Sequence, residues 1–574
     1  MRNYDRINAL PPDRIVEKRA HIIGGGIAGL AAAAFLVDDA HMPGPNVTIY
    51  EQLPVVGGSM DGAGDAADGY VCRGERELEA WMECLWYLCS KVPSVQTPGR
   101  TVLDETHEAN RREPIEARFR LMHHQGQRYS VSGPQMSRHD ARAMSKLLMT
   151  PESELEGRTL AEWFSPQFTQ SVFWYCWSSM LAFSPWHSLI EARRYLERFM
   201  TYAPGLTRLK GILHTEFNEF DSIIRPLSVW LQSLGVQFRT DTLVEDLQTI
   251  DTGSETVVTG MTVRDREGER QVGLTRDDLV FFTNGSLTQN ATLADTTTAG
   301  KFDLSLDRGC FTVWEKLAAR DSKFGNPATF ISDVERTNWV SFFVTLRDGG
   351  HFFDFMERKT GEVPPCGGAI TVVDSAWKLG FVLYGNRYYP NQPDDVDVLW
   401  AYGQLSNVTG DYVHKPMREC TGGEMFAEML YHCGLSPEEI DRTVAACYVS
   451  TAYMPYITSQ FMPRKISDRP QVIAQGCVNL AFIGQFVEVP GDVVFTVETS
   501  VRSAMMAVWG LTGLDKPVIP IHEPGYDMRV VMANLKAAVG VEEVNLRTLP
   551  RLVAVGPSPR QLARMLSSLP PPGA

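Results

Sequence analysis

The chain has 574 residues, 44% of them hydrophobic, and a formal net charge of −15 at pH 7. A chain of this length is expected to fold into two or three domains around a substantial apolar interior. The acidic balance argues against nucleic acid as a partner, because binding to phosphates requires a basic surface.

Ten cysteines are scattered along the chain without paired CxxC spacing, so the sequence predicts reduced thiols and no metal site. The segment before residue 20 is charged and lacks an apolar stretch. No uninterrupted apolar run approaches the roughly 20 residues that a membrane span needs. These features predict a cytoplasmic protein.

The first predicted elements form a dinucleotide-binding motif. Ala20–Ile23 has the apolar character of a buried parallel strand, and 27–37 is predicted to be helical. Gly24 and Gly26 lie between the strand and the helix, and Gly29 lies within the helix. The first two let the backbone approach a pyrophosphate, the third lets the helix pack against the strand, and the helix N-terminus presents free N–H groups to the anion.

A second apolar strand, Val47–Tyr50, is followed by Glu51, at the spacing expected for an acid that binds a ribose hydroxyl. An acid at this position favours FAD or NAD over NADP, because it would repel a 2′-phosphate. Gly57 and Gly58 follow, in a second glycine pair that is common in flavoproteins. The motif therefore predicts FAD.

Later segments resemble the second half of a flavin-binding domain. Short strands are predicted at 235–238 and 243–247, and an apolar strand at 279–282 precedes Ser286. Val244 is expected near the adenine and Ser286 near the phosphates. Ordinary α/β strands remain the alternative for these two residues.

The segment 160–198 is rich in large apolar residues distributed all round a helix, which predicts buried helices. His187 within it is expected to be a structural histidine. Aromatic strands and Pro/Gly turns between 302 and 416 predict a β-rich insertion. The segment 480–485 is predicted to return as a buried strand that ends in a glycine, and the tail from 516 onward is predicted to be helical.

The predicted fold class is α/β, with a discontinuous Rossmann-like FAD-binding domain, an inserted mixed α+β substrate domain and a helical C-terminal appendage. The predicted boundaries are 1–110, 205–300 and 440–512 for the FAD-binding domain, 111–204 and 301–439 for the substrate domain, and 513–574 for the C-terminal segment.

Short motifs along nearly the whole chain resemble the oleate hydratase family, the FAD-dependent fatty acid hydratases also called myosin-cross-reactive antigens. They include GGSMDG at 57–62, RGERE at 73–77 where the family usually has RGGRE, FSPWHS at 183–188, RRY at 193–195, FGNP at 324–327, MPR at 462–464 and GQF at 484–486. This family adds water across an isolated cis double bond, typically giving a 10-hydroxy acid, and no electrons are gained or lost.

The resemblance implies that Glu77 activates the water and that Tyr195 supplies the proton, while Arg76 holds Glu77 or the flavin in place. Protonation of an alkene develops carbocation character that fixed negative charge stabilises. A phenol with an ordinary pKa near 10 keeps its proton at pH 7. From the residues alone, a solvated ion pair at Arg76 and Glu77 and a core tyrosine at Tyr195 are the simpler interpretations.

The motifs and the resemblance together predict a set of cofactor contacts. They are Gly24, Gly26, Gly29, Glu51, Gly58, Ser59, Met60, Glu77, Val244, Asn284, Ser286, Gly484, Asp492, Thr496 and Ser500.

The sequence departs from the family where the fatty acid head group is held. Glu219 replaces a glutamine, Tyr384 a threonine and Pro390 a histidine. Glu219 would then face the carboxylate of the substrate, which is unfavourable unless a cation intervenes. We therefore expect Asn386 and Arg387 to hold the acid end and Glu219 to orient Arg387; a substrate with a different head group or chain length is the alternative.

The expected partners are an unsaturated fatty acid and water, and the expected assembly is a monomer or homodimer. Two other functions stay open: a flavin oxidoreductase of the amine-oxidase or desaturase kind, and a flavin-loaded lipid-binding protein without catalysis. Basic residues among apolar ones in the tail predict peripheral membrane contact, with a solvated helix face as the alternative. They are Arg529, Lys536, Arg547, Arg551, Arg560 and Arg564.

Overall fold

The computed structural model describes residues 9–74, 76–129, 136–364 and 368–539, so Glu75 and the tail beyond 539 lie outside the described residues. The helices are α1 (Ile27–Ala34), α2 (Glu83–Cys89), α3 (Val102–Arg112), α4 (Arg138–Leu148), α5 (Leu160–Trp163), α6 (Val172–Leu181), α7 (Leu189–Arg198), α8 (Arg225–Ser233), α9 (Cys310–Arg320), α10 (Ala328–Ile331), α11 (Val334–Thr337), α12 (His351–Thr360), α13 (Gly422–Cys433), α14 (Pro437–Ala445), α15 (Val497–Thr512) and α16 (Met528–Val539).

Twenty strands are described, numbered here in chain order. They are β1 (Ala20–Ile23), β2 (Val47–Tyr50), β3 (Ala63–Asp65), β4 (Gly69–Val71), β5 (Leu78–Glu79), β6 (Leu121–His123), β7 (Gln127–Arg128), β8 (Ile212–Leu213), β9 (Gln237–Arg239), β10 (Leu243–Asp251), β11 (Thr256–Asp265), β12 (Gly268–Gly273), β13 (Leu279–Thr283), β14 (Thr292–Ala294), β15 (Trp339–Leu346), β16 (Ile370–Val372), β17 (Leu379–Gly385), β18 (Asp397–Gly403), β19 (Cys447–Met454) and β20 (Leu480–Ile483).

A five-stranded parallel sheet has the order β20-β13-β1-β2-β9. Strands β1, β13 and β20 are mostly apolar and almost completely buried, as expected for parallel strands covered on both faces. The predicted strands Ala20–Ile23 and Val47–Tyr50 are confirmed at both ends, and the strand predicted from Leu480 is confirmed at its start and ends at Ile483, before the glycine. Because the strands are parallel, their carboxyl ends meet at one edge, where ligands bind in folds of this kind. The fold is α/β with a Rossmann-like sheet, as predicted.

A second, eight-stranded sheet has the order β14-β19-β15-β18-β17-β16-β6-β7. Its central strand β15 is buried along its whole length. The predicted β-rich insertion at 302–416 supplies β15 to β18 together with α9 to α12, so it is mixed in character. β14 and β19 also pair in this sheet, although the predicted boundaries placed both with the parallel sheet; the other boundaries stay predictions.

Most side chains of the aromatic helix α6 are buried, as its apolar residues predict. Phe173, Trp174, Trp177 and Phe183 are all buried. His187 is completely buried, its Nδ1 accepts a hydrogen bond from the Ser184 N–H, and burial lowers its pKa to about 3. A permanently neutral ring bonded inside the core supports a structural role for this histidine.

The predictions on cysteines, membrane spans and the C-terminal tail can be compared with the described residues only. The nine described cysteines are free thiols. Within the described ranges, no helix has both the length and the apolar character that crossing a membrane requires. The predicted helical tail begins with α16, and its basic residues Arg547, Arg551, Arg560 and Arg564 lie outside the described part.

Candidate active site

The first cavity, of about 160 Å³, opens at the carboxyl edge of the parallel sheet. Nine of the predicted cofactor residues line it: Gly24, Gly26, Glu51, Gly58, Ser59, Val244, Ser286, Gly484 and Ser500. These residues come from both halves of the sheet. The motif at the start of the chain and the strands that follow residue 240 therefore form one concave site, called the cradle below.

The glycines of this cradle leave no room for side chains. Gly24 has a φ of +104°, and a Cβ there would lie 2.8 Å from the Thr283 Oγ1. Gly58 has a φ of +61°, and its Cβ would lie 3.1 Å from the Gly26 Cα. The Thr283 hydroxyl lines the cavity and has no hydrogen-bond partner within the structure. Bare backbone and a free hydroxyl fit the pyrophosphate of a dinucleotide.

The carboxylate of Glu51 fixes the shape of the glycine loop. It accepts hydrogen bonds from the Gly25 N–H at 2.8 Å and the Leu53 N–H at 2.9 Å. Burial raises the pKa of Glu51, although these two hydrogen bonds act to lower it. Glu51 therefore holds the loop to the end of β2 and also lines the first cavity.

Several predicted cofactor residues lie away from this cavity. Asp492 is buried and its carboxylate accepts from the Arg502 Nε at 2.8 Å and from the Val493 N–H at 2.9 Å. Asn284 is buried and donates to the Phe486 carbonyl at 3.0 Å. Neither residue lines the first cavity, and both Asp492 oxygens are hydrogen-bonded, whereas the Asn284 Oδ1 has no hydrogen-bond partner among the described residues. Direct cofactor contact stays a prediction for both.

Three other predicted residues have indirect positions. Met60 is 2% exposed and does not line the first cavity. A Cβ on Gly29 would lie 2.0 Å from the Gly24 carbonyl oxygen and 3.1 Å from the Ile22 Cγ2 on β1, which agrees with the predicted close packing of α1 against the strand. Thr496 caps the N-terminus of α15 and lines a different cavity.

Arg73 is a cavity residue that the sequence analysis did not single out. Its Nε donates to the Asp61 Oδ2 at 2.7 Å and its Nη2 to the Gly58 carbonyl at 2.5 Å. It thereby joins the GGSMDG and RGERE motifs directly. Its position in the same motif as Arg76 and Glu77 was a signal that could have identified it.

The second cavity, of about 80 Å³, brings together Arg76, Glu77, Tyr195 and Thr496. Glu77 directly precedes β5, which pairs with β8 in an antiparallel ladder. Tyr195 lies on α7. Tyr195 lies more than a hundred positions after Arg76 and Glu77, and all three predicted catalytic residues line one space.

Glu77 lies on the wall between the second cavity and a third one. Burial raises its pKa from the ordinary 4.5 to about 7, and the positive charge of Arg120 acts in the opposite direction. Near neutral pH this carboxyl group can both accept and release a proton, which is the property that a general base needs.

Tyr195 is 1% exposed and its hydroxyl donates to the Val494 carbonyl oxygen. Burial raises its pKa well above the ordinary value, and the negative charges of Glu191 and Asp492 add to this effect. The phenol is therefore protonated at neutral pH and held in one orientation.

Arg76 connects the two cavities. Its Nη2 donates to the Ser59 carbonyl at 3.1 Å, and its guanidinium carbon lies 6.0 Å from the centre of the Phe495 ring. Its main-chain N–H donates to the Glu219 Oε1 at 2.9 Å. Ser59 lines the first cavity, so Arg76 couples the predicted cofactor loop to the predicted catalytic residues.

The third cavity, of about 530 Å³, is lined by Glu219, Asn386 and Arg387. The Arg387 side chain is 75% exposed and lies 3.5 Å from Glu113, and Asn386 donates to the Asp394 carbonyl at 2.9 Å. The expectation that Glu219 orients Arg387 is wrong, because the Glu219 carboxylate accepts from Arg76 instead.

One group of described residues has ligand atoms close enough to hold a metal ion: Asp411, Glu428 and His432, within 4.8 Å of one another. The Glu428 carboxylate already accepts the N–H groups of Asp411, Tyr412 and Val413. This bonding gives Glu428 a structural role in holding the loop.

Comparisons with known proteins agree with this arrangement. An oleate hydratase from Streptococcus pyogenes is 38% identical over 91% of this chain and 90% of its own length. A linoleate hydratase from Lactiplantibacillus plantarum is 30% identical over 89% of this chain and 96% of its own. A solved triple mutant of putrescine oxidase, 13% identical with a TM-score of 0.50, covers 86% of this chain and 99% of its own and shares the fold alone. The model of the MCRA family matches residues 17–509, and the chain belongs to that family.

Proposed function

We propose that this chain is an FAD-dependent hydratase that adds water across the cis double bond of an unsaturated fatty acid, as in the conversion of oleate to 10-hydroxystearate. The observation that carries the proposal is that Glu77 and Tyr195 line one cavity next to a cradle that fits a dinucleotide. The names of the two hydratase relatives support it.

The chemistry follows from the two side chains. The Tyr195 phenol donates its proton to one alkene carbon, and the oxygen of a water molecule bonds to the other carbon. The Glu77 carboxylate accepts the proton that this water loses, and its negative charge stabilises the carbocation character of the transition state. A proton then returns from Glu77 to Tyr195 through solvent. One water is added and no electrons are exchanged.

FAD is the cofactor that the cradle supports. We propose that Gly24, Gly26, Gly58 and Ser286 contact its pyrophosphate, and Glu51 its ribose. When bound, FAD supplies a fixed polar ring system that shapes the reaction space. Arg76 acts as a positioning residue, because it joins the Ser59 main chain to the segment that carries Glu77.

An isotope experiment tests the proposal. The purified protein is incubated with oleic acid in water enriched in heavy oxygen, and the product is analysed by mass spectrometry. We expect one labelled oxygen per product, with neither hydrogen peroxide formed nor an electron acceptor reduced. Stoichiometric use of dioxygen or a reductant would show a flavin oxidoreductase. Fatty acid that binds and is recovered unchanged would show a lipid-binding protein.

We also propose a cytoplasmic monomer or homodimer that contacts membranes peripherally through the segment 513–574. α16 is held on the protein by a hydrogen bond from Asn534 to the Met200 carbonyl at 2.7 Å, while Arg529 is 91% exposed. An exposed basic side chain beside apolar residues suits an anionic lipid surface. Flotation with anionic liposomes should decrease when this segment is removed; unchanged flotation would contradict its role.

A further inference from the structure

Two carboxylates and an imidazole meet at a place that the proposed reaction does not use. Glu428 and His432 lie four residues apart on α13 and therefore share one face of this helix. Asp411 lies in the loop between β18 and α13. The ligand atoms of the three residues lie within 4.8 Å of one another, and none of the three lines the cavities described above.

The imidazole of His432 has a buried nitrogen atom without a hydrogen-bond partner. His432 is 5% exposed, and its Nε2 lies 3.3 Å from the Asp411 Oδ2 and 3.4 Å from the Glu428 Oε1. Neither contact has the geometry of a hydrogen bond, and no other described atom is a partner of Nε2. A buried polar atom that stays unpaired is unfavourable. The nitrogen therefore points to a ligand between it and the two carboxylates.

The two carboxylates carry negative charge that the described residues do not compensate. Glu428 is completely buried, and the Asp411 side chain is 38% exposed. Within the described ranges, neither forms an ion pair with a lysine or an arginine. Glu428 accepts the N–H groups of Asp411, Tyr412 and Val413, and Asp411 accepts that of Ala376 at 2.9 Å, but these bonds add no positive charge. A divalent cation would neutralise both carboxylates and use the free nitrogen.

The spacing of the ligand atoms fits a zinc ion. Zn²⁺ binds imidazole nitrogen at about 2.0 to 2.1 Å and carboxylate oxygen at about 2.0 to 2.2 Å, in tetrahedral geometry, which places two such ligand atoms about 3.4 Å apart. The distances from Nε2 to the two oxygens are 3.3 and 3.4 Å. A carboxylate oxygen has two lone pairs, so the Asp411 Oδ2 and the Glu428 Oε1 can bind a metal and keep their main-chain hydrogen bonds.

We propose that Asp411, Glu428 and His432 bind a zinc ion, at a site that is independent of the proposed hydratase function. The imidazole favours zinc over magnesium or calcium, which prefer oxygen ligands. The ion would join α13 to the loop at Asp411 and, through the bond from the Ala376 N–H, to the segment before β17. Its role is therefore to stabilise this part of the fold. The prediction of no metal site rests on cysteine spacing, which does not bear on these three residues.

Calorimetry on the full-length, flavin-loaded protein without an affinity tag tests the site. The protein is treated with EDTA, dialysed and titrated with zinc chloride. We expect one tightly bound zinc per chain, and a Kd at least about 100-fold higher in Asp411→Asn and in His432→Gln, because each loses a direct ligand. Asparagine keeps an oxygen that can accept the Ala376 N–H. His124→Gln is the matched control, since His124 lies 3.5 Å from Asp374 in an exposed pair to which no third described ligand belongs, and it should leave the tight site unchanged.

Thermal melting gives a second measurement. Zinc at a 100-fold excess over its Kd should raise the melting temperature of the EDTA-treated wild type by about 2 °C or more, because the ion binds the folded protein. His124→Gln should keep this rise, and Asp411→Asn should lose it. Magnesium at the same concentration should have no effect.

Three outcomes would overturn the proposal. If the wild type binds zinc no more tightly than Asp411→Asn, there is no metal site here and His432 serves as a protonated partner of the two carboxylates. If His124→Gln loses the tight site, zinc binds at the surface. If magnesium and zinc raise the melting temperature equally, the site is not selective for zinc. Circular dichroism and flavin content verify folding, and Asp411→Asn, at a partly exposed position, decides the question if His432→Gln does not fold.

Discussion

The hydroxyl group of Tyr195 donates a hydrogen bond to the main-chain carbonyl of Val494. The next residue, Phe495, has a φ of +69°, in the left-handed region that non-glycine residues rarely adopt, and its N–H donates to the Gln485 Oε1. Gln485 lines the first cavity and Phe495 the second. A strained loop between the two cavities therefore fixes the proposed proton donor, as strain at functional sites often does.

Tyr195→Phe should lower the hydration rate by about 100- to 10,000-fold, the usual contribution of a general acid. Flavin content should be unchanged, because Tyr195 lies outside the first cavity. Tyr453→Phe is a matched control, since Tyr453 is also fully buried and donates to a main-chain carbonyl, that of Cys420 at 3.0 Å, but lines none of the three cavities. Rates come from product formation by mass spectrometry. Full activity in Tyr195→Phe would exclude it as the donor.

The hydration rate should depend on the protonation of Glu77. Because burial raises its pKa to about 7, the rate should fall about tenfold per pH unit below that value. Glu197 provides the control, since burial also raises its pKa to about 7. Glu197→Gln should leave the acidic limb of the kcat profile in place, and Glu77→Gln should abolish activity. If the acidic limb of the kcat profile shifts in Glu197→Gln, the titrating group is Glu197 and the assignment to Glu77 is wrong.

Glu77→Gln should stabilise the protein at pH 8. A carboxyl group whose folded pKa is above its unfolded value contributes stability below about pH 4.5 and loses it as the pH rises through about 7. The ionised form is therefore unfavourable at pH 8, by up to about 3 kcal/mol. Urea unfolding should show the gain at pH 8 and none below pH 4.5. A variant of equal stability at both pH values would contradict this.

Gly29→Ala should reduce flavin binding. The new Cβ would lie 2.0 Å from the Gly24 carbonyl oxygen, so the glycine loop would have to move. Gly273→Ala is the control, because a Cβ there meets nothing within 4 Å. The ratio of flavin absorbance to protein absorbance after purification measures the effect. Normal flavin content in Gly29→Ala would show that the loop tolerates the shift.

Arg198→Met should destabilise the protein by about 3 to 5 kcal/mol, the cost of leaving a buried charge unpaired. Arg198 donates to Glu79 at 2.7 Å, and both side chains are 2% exposed. Arg264→Met, at an exposed pair with Glu245, should cost less than about 1 kcal/mol. Urea unfolding measures both, and adding Glu79→Gln to Arg198→Met should recover part of the loss. If Arg198→Met and Arg264→Met lower the free energy of unfolding by similar amounts, burial does not set the cost of breaking these ion pairs.

Much of the nucleotide-binding part could be predicted from the sequence, because the patterns that identify it lie within short stretches of the chain. Buried parallel strands are continuous apolar runs, so Ala20–Ile23 and Val47–Tyr50 were identified to the residue. The glycine spacing and Glu51 identified the cradle. The proposed catalytic role of Glu77 was suggested only by the family resemblance, since a charged residue in a loop is ordinarily solvated.

The rest depends on contacts between distant residues. Glu219 accepts from the main chain of Arg76, 143 positions away, and no local pattern records such a bond. Asp492 is predicted to contact the cofactor, and packing also brings it to Arg502.

The parallel sheet takes its strands from positions near 20, 47, 237, 279 and 480. During synthesis the edge next to β13 has no neighbour until β20 emerges, after more than four fifths of the chain has been made. Exposed strand edges invite aggregation. The nascent polypeptide must therefore be protected from its own partly built sheet for most of translation, and truncations that remove β20 should yield insoluble protein.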